Sequence, residues 1–290
     1  MKIRFKIAFS EVAILIVATY LVVILAASDR VAYSQTSTDI EIVENCLINR
    51  LLNKKCAVPP KPIILPTPTI SPTPTQPLTA KERFIAALTK KFTIIPQPDS
   101  YEYILLRAYG APFVNLQSII KLPKKVVFAN DKETKEFQDT ITKGKVAGTI
   151  NCYLQKSAAD ALNKARSQAR FRLKSGYATS DCIRNFATTA RFWRKYTNSR
   201  TLDLVKKGKE KRILGTVAPP GASQHLWGLA IDLRANNKKQ IAALNKNGWF
   251  RTVEYDVPHW SYVGYPPEKL IELGFHKKII RGVTYWVTPL

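Results

Sequence analysis

Two of the three histidines, His225 and His259, lie beside short apolar runs and near carboxylates. In Ser223-Gln224-His225-Leu226-Trp227-Gly228-Leu229-Ala230-Ile231-Asp232 a loop histidine leads into a predicted strand whose alternate residues Gly228, Ala230 and Asp232 share a face. Small residues ahead of the carboxylate leave room for an ion. Imidazole nitrogen and carboxylate oxygen suit zinc, and His259 from a neighbouring strand supplies a third ligand, leaving the fourth tetrahedral position for water. Such an open site is catalytic rather than structural. His276, in a Phe-His-Lys-Lys run, reads as a surface residue.

The elements that must position these groups begin at Thr79. Thr79-Ala80-Lys81-Glu82 is a capping box, followed at helical spacing by Phe84, Leu88 and Phe92. Further helices are predicted at Glu102 to Ala108 before Gly110, at Lys132 to Thr142, and at Ser157 to Leu173 with Ser157 and Asp160 as caps. A long helix is predicted from Asp181 to about Val205, and another from Asn237 to Asn247 before Gly248. The later texture is short strands, Gly228 to Leu233 and His259 to Val263, then a hairpin of Lys278 to Ile280 and Val283 to Val287 about Arg281-Gly282. Helices first and strands later predict an α+β domain over residues 79–290, its small antiparallel sheet carrying the zinc site between flanking helices. Trp193, Trp249 and Trp286 read as core. Trp227 and Trp260 flank the ligands and either wall a cleft or pack beside the metal.

The N-terminal 78 residues read differently. Lys2, Arg4 and Lys6 precede an apolar run from Val12 to Ala27, the pattern of an export signal over residues 1–34. Cleavage near Ala26-Ala27-Ser28 or Ala32-Tyr33-Ser34 and retention as a signal anchor both stay open. In either case the domain is expected outside the cytoplasm, anchored or secreted. Residues 35–57 form a short stalk segment with an amphipathic stretch, Ile40 to Leu52. Residues 58–78 are a Pro/Thr-rich linker, with eight of the 18 prolines between Pro59 and Pro77, a composition that favours extended polyproline II. In an exported chain the four cysteines allow two disulfides, Cys46 to Cys56 and Cys152 to Cys182, although sequence does not fix the pairing. None has the paired C-x2-C spacing of structural zinc.

Ser223, His225, Gly228, Ala230 and Asp232 reproduce an S-x-H-x-x-G-x-A-x-D pattern. The chain thereby resembles the zinc-dependent D-alanyl-D-alanine carboxypeptidases, VanY-like members of the LAS group, over roughly residues 100 to 290. Ala218-Pro219-Pro220-Gly221, Leu106-Arg107-Ala108-Tyr109-Gly110 and Asp256-Val257-Pro258-His259-Trp260 carry the resemblance further. It implies Zn2+ held by His225, Asp232 and His259, and a general base in the family's E-x-x-H motif, where this chain has Asp256 three residues before His259. That carboxylate is one methylene shorter than the family's glutamate, and Glu254 is a fallback. A second departure is Ser175-Gly176-Tyr177-Ala178, where the family commonly has an oxyanion-stabilising arginine after the tyrosine. Arg184, expected on the helix that follows, is the substitute, and its alternative is a solvated helix-face role. Ser223 is expected to hydrogen-bond substrate or loop.

The resemblance implies a zinc metallopeptidase that hydrolyses the D-alanyl-D-alanine terminus of a peptidoglycan stem peptide. A wall-peptide endopeptidase, cutting an L,D bond or a cross-bridge, shares the same kit. A catalytically decayed cell-wall-binding module is the alternative of another class. The formal charge of +24, from 45 Lys/Arg against 21 Asp/Glu, lies mostly in the folded part and suits an anionic wall or membrane surface. Charge alone also suggests nucleic acid, but the export signal and the lack of a recognition helix or stacking motif argue against that partner.

Overall fold

The Thr79 hydroxyl accepts from the Glu82 amide, and the Glu82 carboxylate accepts from the Thr79 amide at 2.7 Å. This reciprocal cap opens helix α1, Ala80–Leu88, in the computed structural model, which describes residues 76–176 and 179–290. The export segment, the stalk, most of the linker, Cys46, Cys56 and Ala178 lie outside the described residues. Among the described residues no helix is long and apolar enough to cross a membrane.

Helix α2, Tyr101–Tyr109, is capped by the Ser100 side chain and ends at Gly110, close to its predicted span. Helix α3, Asp131–Asp139, is capped by Asn130 and stops short of Thr142 because the chain turns into strand β1, Lys143–Lys145. Strand β2, Tyr153–Gln155, pairs antiparallel with β1. Helix α4, Lys156–Gln168, departs from expectation at both ends. Neither Ser157 nor Asp160 caps it; Asp160 instead pairs with Lys156 at 2.7 Å. At its other end Ala169 is extended, and Arg172–Leu173 becomes strand β3 by pairing with the strand that carries Asp232.

The single long helix predicted from 181 to 205 is two. Helix α5 covers Phe186–Tyr196 and helix α6 covers Ser199–Lys206, and the side chains of Asn185 and Asn198 each accept a backbone N–H at a new N-terminus. An apolar period continues through such a break, and the capping asparagines decide where the helices restart.

Strand β4, Ala230–Arg234, and strand β5, Trp249–Phe250, flank β6, His259–Tyr262, in an antiparallel sheet of order β3-β4-β6-β5. Gly228 lies outside β4: at φ 65° it ends the 3-10 helix Gln224–Trp227, so only Ala230 and Asp232 of the predicted small-residue face belong to the strand. A Cβ at Gly228 would also sit 3.1 Å from the Gln155 amide nitrogen, which makes glycine the fitting residue at this corner. Helix α7, Lys238–Lys246, opens with an Asn237/Gln240 capping box, and helix α8, Pro267–Glu272, was not anticipated. Strands β7, His276–Ile280, and β8, Val283–Val287, form the expected hairpin. Arg281 at φ 50° and Gly282 at φ 77° supply the two left-handed residues of a tight turn.

The α+β class holds, with mixed helices and small antiparallel sheets. All five tryptophans are buried. Trp227 packs on Phe113 with ring centroids 5.0 Å apart, and Trp260 lies under the Arg251 guanidinium at 4.5 Å. Cys152 and Cys182 form a disulfide, fastening the entry to β2 to the segment ahead of α5.

Candidate metal centre

Asp232 and His259 are register partners across β4 and β6, so their side chains leave the same face of the sheet side by side. His225 comes from the 3-10 helix immediately before β4, and the left-handed Gly228 turns that helix back over the strand. The Ser223 hydroxyl accepts from the His225 amide at 3.4 Å, which gives the serine the loop role allowed for it. The three side chains converge. His225 Nε2 is 3.3 Å and His259 Nδ1 3.6 Å from Asp232 Oδ1, and the two ring nitrogens are 3.2 Å apart. All three residues are buried, and their donor atoms form the metal-capable cluster found among the described residues.

The outer ring atoms decide what faces inward. His225 Nδ1 lies 2.8 Å from the Cys182 carbonyl, an acceptor only, so this nitrogen carries the proton. His259 Nε2 lies 2.7 Å from Gln224 Oε1. The Gln224 amide cannot be turned around, because its nitrogen donates to the Tyr109 carbonyl at 2.6 Å while its oxygen also accepts from Ser261 Oγ at 2.5 Å. His259 therefore also donates outward. In neutral rings both inward nitrogens then present lone pairs to each other and to a carboxylate oxygen, three electron-rich atoms with no proton to share. A divalent cation satisfies all three, and backbone or amide oxygens orienting each ring are the usual support of a metal-binding histidine. The residues present fit such an ion.

Electrostatics keep the ligands in metal-binding form. Burial, then Arg184, lowers the His225 imidazole to about 4, so it is neutral near pH 7. Burial opposes ionisation of Asp232, but its neighbours, with the Arg184 guanidinium the permanent cation among them, hold it well below the ordinary carboxylate range. Arg184 precedes α5 instead of lying on it, a correction to the expected placement. Its Nη2 donates to Asp232 Oδ2 at 2.5 Å, its Nε donates to the Ser180 carbonyl, and its guanidinium lies 5.0 Å from the Phe192 ring centre. One of its donor directions is thus spent on Asp232 and a second on the backbone that holds the arginine in place.

A cleft of about 410 Å3 opens onto this cluster and is lined also by Asp256, Arg184, Ser223, Lys174, Phe192 and Tyr196. Asp256 Oδ2 is 4.0 Å from His259 Nδ1. Burial raises the Asp256 carboxyl to about 6, against the pull of His259. Glu254, the fallback base, turns away to pair with Lys278 at 2.7 Å and lines a different cavity. Trp227 and Trp260 do not line the cleft, so the packing alternative is the one observed. Sequence reading missed Gln224 and Lys174. The first stood inside the recognised motif next to a ligand, the only signal available. The Lys174 amide donates to the Asp232 carbonyl at 2.9 Å, and its ammonium favours the ionised form of Asp256.

Residues 151–269 match the family model of VanY, D-alanyl-D-alanine carboxypeptidase. This is the family that the motif residues resembled, and the VanY span contains Arg184, His225, Asp232, Asp256 and His259. The VanY match supports a peptidoglycan carboxypeptidase-type hydrolase. No curated protein matches the chain. A solved structure of an LdcB LD-carboxypeptidase, described as revealing the molecular basis of peptidoglycan recognition, is 23% identical. It covers 46% of this chain and 70% of its own, at a TM-score of 0.29.

Proposed function

We propose that the chain is a zinc-dependent D-alanyl-D-alanine carboxypeptidase acting on peptidoglycan stem peptides. The observation that carries this reading is the convergence of His225 Nε2, Asp232 Oδ1 and His259 Nδ1, with the outer nitrogen of each ring already committed. When bound there, zinc supplies Lewis acidity, which acidifies water and polarises a peptide carbonyl.

The protein's own groups supply the rest. Asp256, raised to about 6 and lining the same cleft, takes the proton of the attacking water and returns it to the leaving amine. Removal from water gives this carboxylate the basicity that an exposed aspartate lacks. Arg184 keeps Asp232 ionised and oriented, and its Nη1, which has no partner among the described residues, faces the task of stabilising the oxyanion. The cationic surface favours residence against an anionic wall or membrane surface, and the N-terminal segment places the domain outside the cytoplasm, anchored or secreted.

The test is product analysis with the full chain, zinc and a defined wall pentapeptide. Released D-alanine is the expected product. His225→Ala should lose bound zinc, whereas Asp256→Ala should keep zinc and lose turnover by roughly 10²- to 10⁴-fold. Zinc-loaded wild type that releases no D-alanine overturns the carboxypeptidase reading. Internal cleavage of the peptide would select the endopeptidase, and wall sedimentation without any cleavage the binding module.

A further inference from the structure

Behind the turn that carries Asp256 lies a second cavity, of about 720 Å3. It shares Leu214 and Val253 with the metal cleft, so the two stand back to back across one thin partition. Lys81, Arg107, Lys211 and Arg212 line it, all exposed. Among the described residues none of these four has an ion-pair partner. The acidic side chain of this lining, Glu254, is already neutralised by Lys278 at 2.7 Å.

Tyr255 completes the rim. It is 47% exposed and sits at φ 70°, a left-handed backbone that an aromatic residue seldom adopts. Gly215 packs closely against this turn: a Cβ there would lie 2.2 Å from the Glu254 carbonyl oxygen and 3.1 Å from the Tyr255 side chain. Tyr255 thus presents a half-exposed aromatic ring at the rim of a basic cleft.

We propose that this cleft binds a phosphate-bearing wall glycopolymer, a chain alternating sugar or polyol units with phosphodiesters. Guanidinium forks at Arg107 and Arg212 match phosphate oxygens, Lys81 and Lys211 add point charge, and the Tyr255 face takes the C–H surface of a sugar or polyol. A lipid headgroup offers the same phosphate chemistry. However, the apolar side chains Ile104, Leu214 and Val287 form the floor of the cleft and Tyr255 is the large exposed apolar group of its lining, so a bilayer would be held there almost entirely by headgroup charge. The choice of a wall polymer rests on the peptidoglycan reading; the anion site rests on the cleft itself.

Binding of the full chain to poly(glycerol phosphate) tests the proposal, with inorganic phosphate as competitor and phosphatidylglycerol vesicles as the second arm. Arg107→Ala with Arg212→Ala should weaken polymer binding at least about tenfold, as loss of two charge-assisted contacts requires. Tyr255→Ala should weaken it too. Lys124→Ala with Lys164→Ala, exposed elsewhere and equal in charge change, should leave it within about twofold. Equal losses in the two double variants would show diffuse attraction only and overturn the site. So would no polymer binding by wild type, or a cleft substitution that weakens vesicle binding and leaves polymer binding unchanged. Zinc content and melting temperature, read in parallel, exclude misfolding. Because no turnover is measured, a chain that cleaves no stem peptide can still bind polymer, and the two readings fail separately.

Discussion

Gln224 holds one ligand ring between two neighbours, accepting from His259 and Ser261 and donating to the Tyr109 carbonyl. Gln224→Leu keeps most of the volume but leaves the His259 Nε2–H and the Tyr109 carbonyl without partners in a buried place. Zinc affinity is expected to fall about 10- to 100-fold, read by competition with a chromophoric chelator. Apo stability should drop by about 1 to 3 kcal/mol in urea melts. Unchanged affinity would mean that β6 alone holds the ring. At this scale the three residues of the cluster were legible in advance, because His225 and Asp232 share one short motif and His259 follows a carboxylate at a recognisable offset. The glutamine's role was not, since its partners Tyr109 and Ser261 stand 115 and 37 residues away. Arg184 was singled out for the right neighbourhood but the wrong element, because the sequence carries an apolar helical period across Asn185 and the cap is what excludes it.

Among elements, the disulfide-tied segment before α5 reaches the site at three points. Cys182 offers its carbonyl to His225, the Arg184 amide donates to the His225 carbonyl at 3.2 Å, and the Arg184 side chain holds Asp232. Gln138 of α3 anchors the same segment by donating to the Arg184 carbonyl at 2.7 Å. Replacing Cys152 and Cys182 by serine should cost about 3.5 kcal/mol of stability on the chain-entropy account for a 30-residue separation. It should also weaken zinc binding, because the acceptor that fixes the His225 tautomer is then held less firmly. Calorimetry and zinc titration of the reduced or double-serine protein check both, and a stability loss with zinc affinity intact would confine the crosslink to folding. The cysteine pairing stayed open in the sequence because a pairing is a distance, and only the meeting of β2 with the 179–185 segment sets it. Helix starts were read well where a side chain caps them, at Thr79 and Asn237. They were read poorly where a continuing apolar period hid a break, at Asn198.

For the molecule as a whole, bound metal is expected to be a stability term as well as a chemical one. Three buried ligands gathered without a cation leave lone pairs and a carboxylate facing one another, so the cation relieves the folded state and has no such cluster in the unfolded chain. At free zinc a hundredfold above its dissociation constant the added stability is about 2.7 kcal/mol. Chelation should therefore lower the melting temperature by several degrees, reversibly on zinc return; a melting curve indifferent to chelator would contradict the cluster's role. The residue order alone gave the α+β class, the candidate ligands and the cationic composition, because each is written in local spacing, capping or composition. Only the folded chain decided that Asp232 and His259 share a register, that both rings donate outward, and that Glu254 turns away to Lys278 while Asp256 lines the cleft. It also placed an unpaired basic cleft behind the Asp256 turn. Those outcomes depend on which segments meet in the fold, and contacts between segments tens of residues apart leave no periodic trace in the sequence.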